Sequence, residues 1–117
     1  MRIKPDFDAL SKLSEKLNVV GVHAFALSEE PGIRAYCRNF APLYGIDEEA
    51  ATGTSNGALT YYLYKQNILK KGDASTFLQG ESMGRPSKIQ TILDSSDPTK
   101  IKVGGTYKIV AKGELHI

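Results

Sequence analysis

The segment Asp47-Glu48-Glu49-Ala50-Ala51-Thr52-Gly53-Thr54-Ser55 concentrates the residue types that could do chemistry in this chain. Carboxylates run into a glycine-containing helix start. Such a start exposes unpaired backbone N–H groups and a partial positive charge, which suit a carboxylate or a phosphate. Gly53 has no side chain to block a ligand, and Thr52, Thr54 and Ser55 add hydroxyl donors. A carboxyl group beside a bound anion can move a proton if its pKa is raised. The same residues also fit a plainer arrangement, in which the carboxylates favour the helix dipole and Thr52 caps the helix. Asn39, on a strand just before this loop, could reach the same area. Arg85, between Gly84 and Pro86, is either an anion contact or a turn arginine paired to a carboxylate.

Other chemistries find little support. Two histidines and one cysteine without ligand spacing argue against a metal site. His23 sits in an apolar strand pattern and reads as a satisfied core histidine. Cys37 lacks the surroundings of a nucleophile and cannot form an internal disulfide. No phosphate-binding GK[ST] loop is present. A net charge of +2 without a basic, aromatic-rich cluster does not favour nucleic acid. The longest uncharged run, Ala50 to Tyr64, is shorter than the roughly 20 apolar residues of a membrane span and contains Thr, Ser and Asn. The start has no apolar core of a signal peptide, so a cytoplasmic protein is expected.

These residues need elements to position them, and 117 residues suffice for one domain with a real core. Leu10, Leu13 and Leu17 make a helical stripe over residues 6–17, capped by Asp6. Residues 19–27 read as a buried strand, and 33–41 alternate as its hairpin partner. After the loop 41–50, a charge-free helix begins at Thr52, with its first three turns expected to be surrounded by protein. Residues 75–81 and 87–93 read as strands around the Gly84-Arg85-Pro86 break. Residues 101–110 read as two strand pieces about a Gly104-Gly105 hairpin turn, and 111–117 as strand or tail. The expected class is α+β, an antiparallel sheet or barrel wrapped around a central helix.

Three strings resemble the motifs of the PhzF (phenazine biosynthesis) family. Arg38-Asn39-Phe40-Ala41-Pro42 followed by Gly45 to Thr54 resembles R-x-F-x-P and G-x-x-E-D-P-A-T-G-S. Gln79-Gly80-Glu81-Ser82-Met83-Gly84-Arg85-Pro86-Ser87 resembles Q-G-x-x-x-G-R-P-S, and Val103-Gly104-Gly105 resembles V-G-G. The resemblance covers about residues 34–113 in order, and Pro5-Asp6-Phe7 resembles the start of the second half of these proteins. It implies one lobe, the C-terminal one, of the diaminopimelate-epimerase-like fold, with Thr54 to Asn67 as its central helix. It implies acid/base isomerisation of a small carboxylic acid in a cleft between two lobes, with no metal and no organic cofactor. On this resemblance Glu49 stands for the active-site Asp, Gly53 for the Gly and Thr54 for the Ser. Ala50 replaces the Pro and loosens the loop. The family's general-base Glu and active-site His belong to the N-terminal lobe, so His23 does not match the latter. The expected partners are therefore the substrate acid and either a complementary N-terminal lobe or a second copy in a homodimer. The competing expectation is a non-catalytic, homodimerising structural or small-acid-binding domain.

Overall fold

In the computed structural model, which describes residues 2–117, helix α1 spans Phe7–Leu17. Asp6 caps it, accepting the Ala9 N–H at 3.0 Å, and Asn18 ends it in the left-handed region at φ 52°. The leucine stripe does not enter the core. Leu13 and Leu17 are 44% and 59% exposed, and α1 is anchored through Phe7, edge-on to Phe40 at 6.3 Å.

Strands β1 (Val22–Leu27) and β2 (Ala35–Ala41) form the expected hairpin, from Val22 opposite Phe40 to Leu27 opposite Ala35. The loop after β2 holds a short strand that its acidic composition hid. This is β3 (Ile46–Glu49), which pairs with β2 across a bulge and sets Glu49 opposite Asn39. Helix α2 (Gly53–Lys65) follows, then β4 (Ala74–Gln79), β5 (Ser87–Leu93) and β6 (Ile101–Gly104). The sheet order is β1-β2-β4-β5-β6, with β3 beside β2. It is antiparallel except at one seam, where β2 and β4 run parallel from Ala35 opposite Phe77 to Cys37 opposite Gln79. A parallel pair needs a crossover, and α2 lies within this one.

Helix α2 packs on β5 and β6, and the core forms from Leu59, Leu63 and Leu69 against Ala35, Cys37 and Phe77. Full burial of Leu63 or Phe77 is worth roughly 2 kcal/mol each. The helix is covered on one side only, contrary to the expectation from its charge-free sequence. Asn56, Leu59, Thr60 and Leu63 are buried, whereas Ala58, Tyr61 and Tyr62 are exposed, Tyr62 touching β1 only through the edge of Phe25 at 6.0 Å across an open cavity. The hairpin expected at Gly104-Gly105 does not form either. Strand β6 stops at Gly104, and residues 105–117 join no element and are exposed.

An ion pair locks the loop carrying the acidic run. Arg38 donates to both Glu48 oxygens, at 2.8 and 2.9 Å, and to the Ile3 carbonyl at 2.7 Å, with its guanidinium 5.0 Å above the Phe40 ring. Ser82 donates to Glu48 at 2.7 Å. The Arg38 hydrogen bonds hold the Glu48 carboxyl below its ordinary value. In the turn after β5, Asp94 accepts from Ser96 and Asp97 and is held at about 2. Both folded-state values lie below the unfolded ones. Their stabilisation is thus complete above the ordinary carboxylate range and lost as pH falls through the folded values. Acid titration of the melting temperature is expected to show a decline from about pH 4.5 toward pH 2, and Glu48→Gln should flatten its upper part.

Candidate functional site

Thr52 is the N-cap residue of α2 by position, but its side chain does not cap. Its hydroxyl oxygen instead accepts from Gln79 Nε2 at 2.7 Å, which corrects the capping role read from sequence. The side-chain acceptor that normally serves the first turn is engaged elsewhere, leaving the start of α2 receptive to an anion from outside.

Gln79 belongs to a buried chain of amides that sequence reasoning missed. Gln79 and Asn56 are both 0% exposed. Gln79 Nε2 also donates to the Glu49 carbonyl at 2.8 Å, and its Oε1 accepts from Asn56 Nδ2 at 2.8 Å. Asn56 Nδ2 donates as well to the Thr52 carbonyl at 2.7 Å, and Asn56 Oδ1 meets His23 Nε2 at 3.2 Å. Because both Asn56 donations fix its amide, its oxygen can only accept, and the His23 proton belongs on Nε2. With the proton on Nε2, His23 Nδ1 and Asn39 Oδ1, 3.0 Å apart, are both acceptors, and this contact becomes a hydrogen bond only when the ring is doubly protonated. Burial lowers the His23 pKa, partly offset by its bonds to Asn39 and Asn56. His23 is half-buried and its neutral ring is satisfied at Nε2 alone, which falls short of the satisfied core histidine read from the sequence. A second pair, Thr60 with Thr91 at 2.6 Å, ties α2 to β5.

The seven sequence-derived residues divide between places. Thr52 and Gly53 line a depression of about 660 Å³ with Ser87, Lys88, Val103 and Thr106. Asn39 and Ser55 line a different cavity of about 420 Å³ with His23, Phe25 and Tyr62. Glu49 and Thr54 are exposed on either side of the helix start, and Glu49 is held there through its own carbonyl. Of the acidic run, Glu48 is committed to Arg38, which leaves Asp47 and Glu49 as the exposed carboxylates. Arg85 is exposed, and it is its backbone that makes hydrogen bonds, from its N–H to the Gly80 carbonyl and from the Ser87 hydroxyl to its own carbonyl. Gly53 and Gly57 have a packing role as well, since a Cβ at either would meet Val103 at 3.3 or 3.4 Å. The sequence did hold a signal for Asn56 and Gln79. Thr52, Asn56 and Thr60 share one helix face at i, i+4 spacing, and Gln79 shares the buried strand face of Ser75 and Phe77. Among the described residues no group of His, Cys, Asp and Glu is placed to hold a metal ion. Nor, among the described residues, is any helix long and apolar enough to cross a membrane.

This fold is the epimerase-like architecture of solved proteins. A solved Bacillus anthracis phenazine biosynthesis protein of the PhzF family superposes on 87% of the chain and 36% of its own length (TM-score 0.70, 19% identity). A predicted epimerase from Pseudomonas aeruginosa superposes on 97% of the chain and 36% of its own length (TM-score 0.66, 24% identity). The sequence model of the phenazine biosynthesis-like proteins (PhzC-PhzF) matches residues 1–113, and the chain belongs to that family. It is 36% identical, over 97% of its length, to an uncharacterized isomerase of Clostridium acetobutylicum. It is 30% identical, over 97% of its length, to the trans-2,3-dihydro-3-hydroxyanthranilate isomerase of Pseudomonas chlororaphis. The chain spans 40% and 39% of the lengths of these two relatives.

Proposed function

We propose that this chain is the C-terminal lobe of a PhzF-type isomerase. On this reading it acts in the cytoplasm, in phenazine-like biosynthesis, with a complementary N-terminal lobe supplying the general base. The carrying observation is the start of α2, where Gln79 holds the Thr52 hydroxyl oxygen and no side chain caps the helix. The substrate carboxylate docks on the N–H groups of Gly53 and Thr54. Because Gln79 donates to its oxygen, the Thr52 hydroxyl keeps its own proton to offer the ligand. Thr54 and Ser55 add hydroxyls, and Asn39 and Arg85 meet more distant parts of the substrate. Glu49 exchanges a proton with it. No metal or organic cofactor enters this reading. The relative from Pseudomonas chlororaphis is named for a dihydro-hydroxyanthranilate, itself a small carboxylic acid, which supports an acid as the ligand class.

Titration of the isotope-labelled chain with benzoate tests this. The Gly53, Thr54 and Ser55 amides are expected to shift together, with a weak, millimolar-range affinity for half a site. Glu49→Gln should tighten binding, because it removes a like charge beside the anion. If these amides stay unmoved at saturating benzoate, the reading fails. The exposed Leu17, Val20, Tyr62 and Val110 favour a second reading, in which the lobe covers itself as a homodimer without catalysis.

A further inference from the structure

Among the described residues the four most exposed large apolar side chains lie after the last strand. Tyr107, Val110, Leu115 and Ile117 are at least 86% exposed, and Ile109 is 61% exposed. Tyr107, Ile109 and Val110, the three within residues 106–112, present roughly 400 Å² per copy, about half of what a standard stable interface buries on each partner, and a reciprocal exchange buries two such strands. Residues 106–112 also alternate. Tyr107, Ile109 and Ala111 fall on one face of an extended chain, and Lys108, Val110 and Lys112 on the other.

The sheet offers a matching edge. Among the described residues strand β1 pairs only with β2, which leaves its other edge free. That edge, Val22–Leu27, holds no lysine, acid or proline, and its register with β2 is continuous, so it lacks the usual protection against another strand. Its His23 and Phe25 face the exposed side of α2 and line the cavity of about 420 Å³ with Ala58 and Tyr62. A strand added about 4.8 Å beyond β1 would roof this cavity with its apolar face and turn its lysines outward as a guarded new edge.

We propose that residues 106–112 of one copy pair with the free edge of β1 in a second copy, and reciprocally. The product is a strand-exchanged dimer. The tail leaves β6, which lies at the opposite end of the sheet from β1, so it departs from its own lobe at the wrong edge. Reciprocal exchange closes the assembly about a two-fold axis. This inference rests on the homodimer reading above and names its interface.

Light scattering and amide exchange on the full chain provide the test. A dimer at micromolar concentration is expected, with slowed exchange at alternate residues of Val22–Leu27. Ile109→Asp should weaken dimerisation by about 100-fold, and Lys108→Glu on the outward face by less than about 3-fold. Ending the chain after Gly105 should give a monomer. Both substituted side chains are exposed in the single chain, so neither variant threatens the fold. A monomer at every concentration overturns the proposal together with the homodimer reading. A monomer whose tail amides are protected shows the tail on its own lobe and overturns it too. A dimer indifferent to Ile109→Asp and to truncation overturns the strand exchange alone and leaves the homodimer reading standing.

Discussion

Gly80→Ala is expected to cost about 3 to 4 kcal/mol, a large part of a small domain's stability. Gly80 joins β4 to the turn before β5 with φ +86° and ψ 4°, a left-handed conformation that costs a residue with a side chain about 1 kcal/mol. The greater part of the cost is steric. A Cβ there would lie 2.3 Å from the Arg85 carbonyl oxygen, 2.7 Å from that of Ala50 and 3.1 Å from the Ala50 Cα. All three are backbone atoms, Ala50 is buried, and Arg85 is held by its N–H bond to the Gly80 carbonyl at 3.0 Å. The alanine must therefore push apart the two loops that flank the start of α2. Gly84→Ala is the control, because Gly84 is also left-handed (φ +65°) but has nothing within 4 Å of its would-be Cβ. Urea unfolding should show a loss of only about 1 kcal/mol there. Equal losses at the two positions would rule out the steric clash as the cause.

Gln79→Leu should cost about 3 kcal/mol and lower the melting temperature by roughly 10–20 °C. The leucine roughly fills the volume but makes none of three hydrogen bonds. The Glu49 carbonyl and the Thr52 hydroxyl each lose a donor, and Asn56 loses the acceptor for one of its two N–H groups. Each buried polar atom left unpaired costs about 1–3 kcal/mol, partly recovered where Thr52 reorients toward solvent. The released Thr52 hydroxyl is then free to cap α2, so benzoate affinity at the helix start should fall as well. A leucine variant as stable as the parent would show that water replaces the glutamine.

The elements legible in the sequence were those with local causes. The Asp6 cap and the strand alternation of 33–41 and 87–93 need no distant partner, and Ser87–Leu93 is recovered to the residue. Strand β3 was hidden because Ile46-Asp47-Glu48-Glu49 has poor strand propensity and is held by β2 and by the Arg38–Glu48 pair. The parallel seam was hidden because a hairpin-by-hairpin reading pairs only neighbours in sequence. At the site, the motif residues were visible individually, but what holds them was not. Thr52 reads as a cap until Gln79, on a strand beyond the whole helix, takes its hydroxyl. Likewise the exposed side of α2 reads as interior, because a charge-free helix cannot reveal that an open cavity separates Ala58 and Tyr62 from β1.

The parallel seam has a consequence for how the sheet opens. Its strands join residues 35–37 to residues 77–79, whereas both neighbouring pairs are local hairpins. Contacts between distant segments form late in folding because loop closure must precede them. Cys37 sits on this seam opposite Gln79, 3% exposed, with burial pushing its thiol up to about 12. In the closed sheet that sulfur is both hidden and protonated, and it becomes reactive only when β2 and β4 part. As the single thiol of the chain, it is a built-in clock, and its rate of modification by a disulfide reagent counts the openings of the seam.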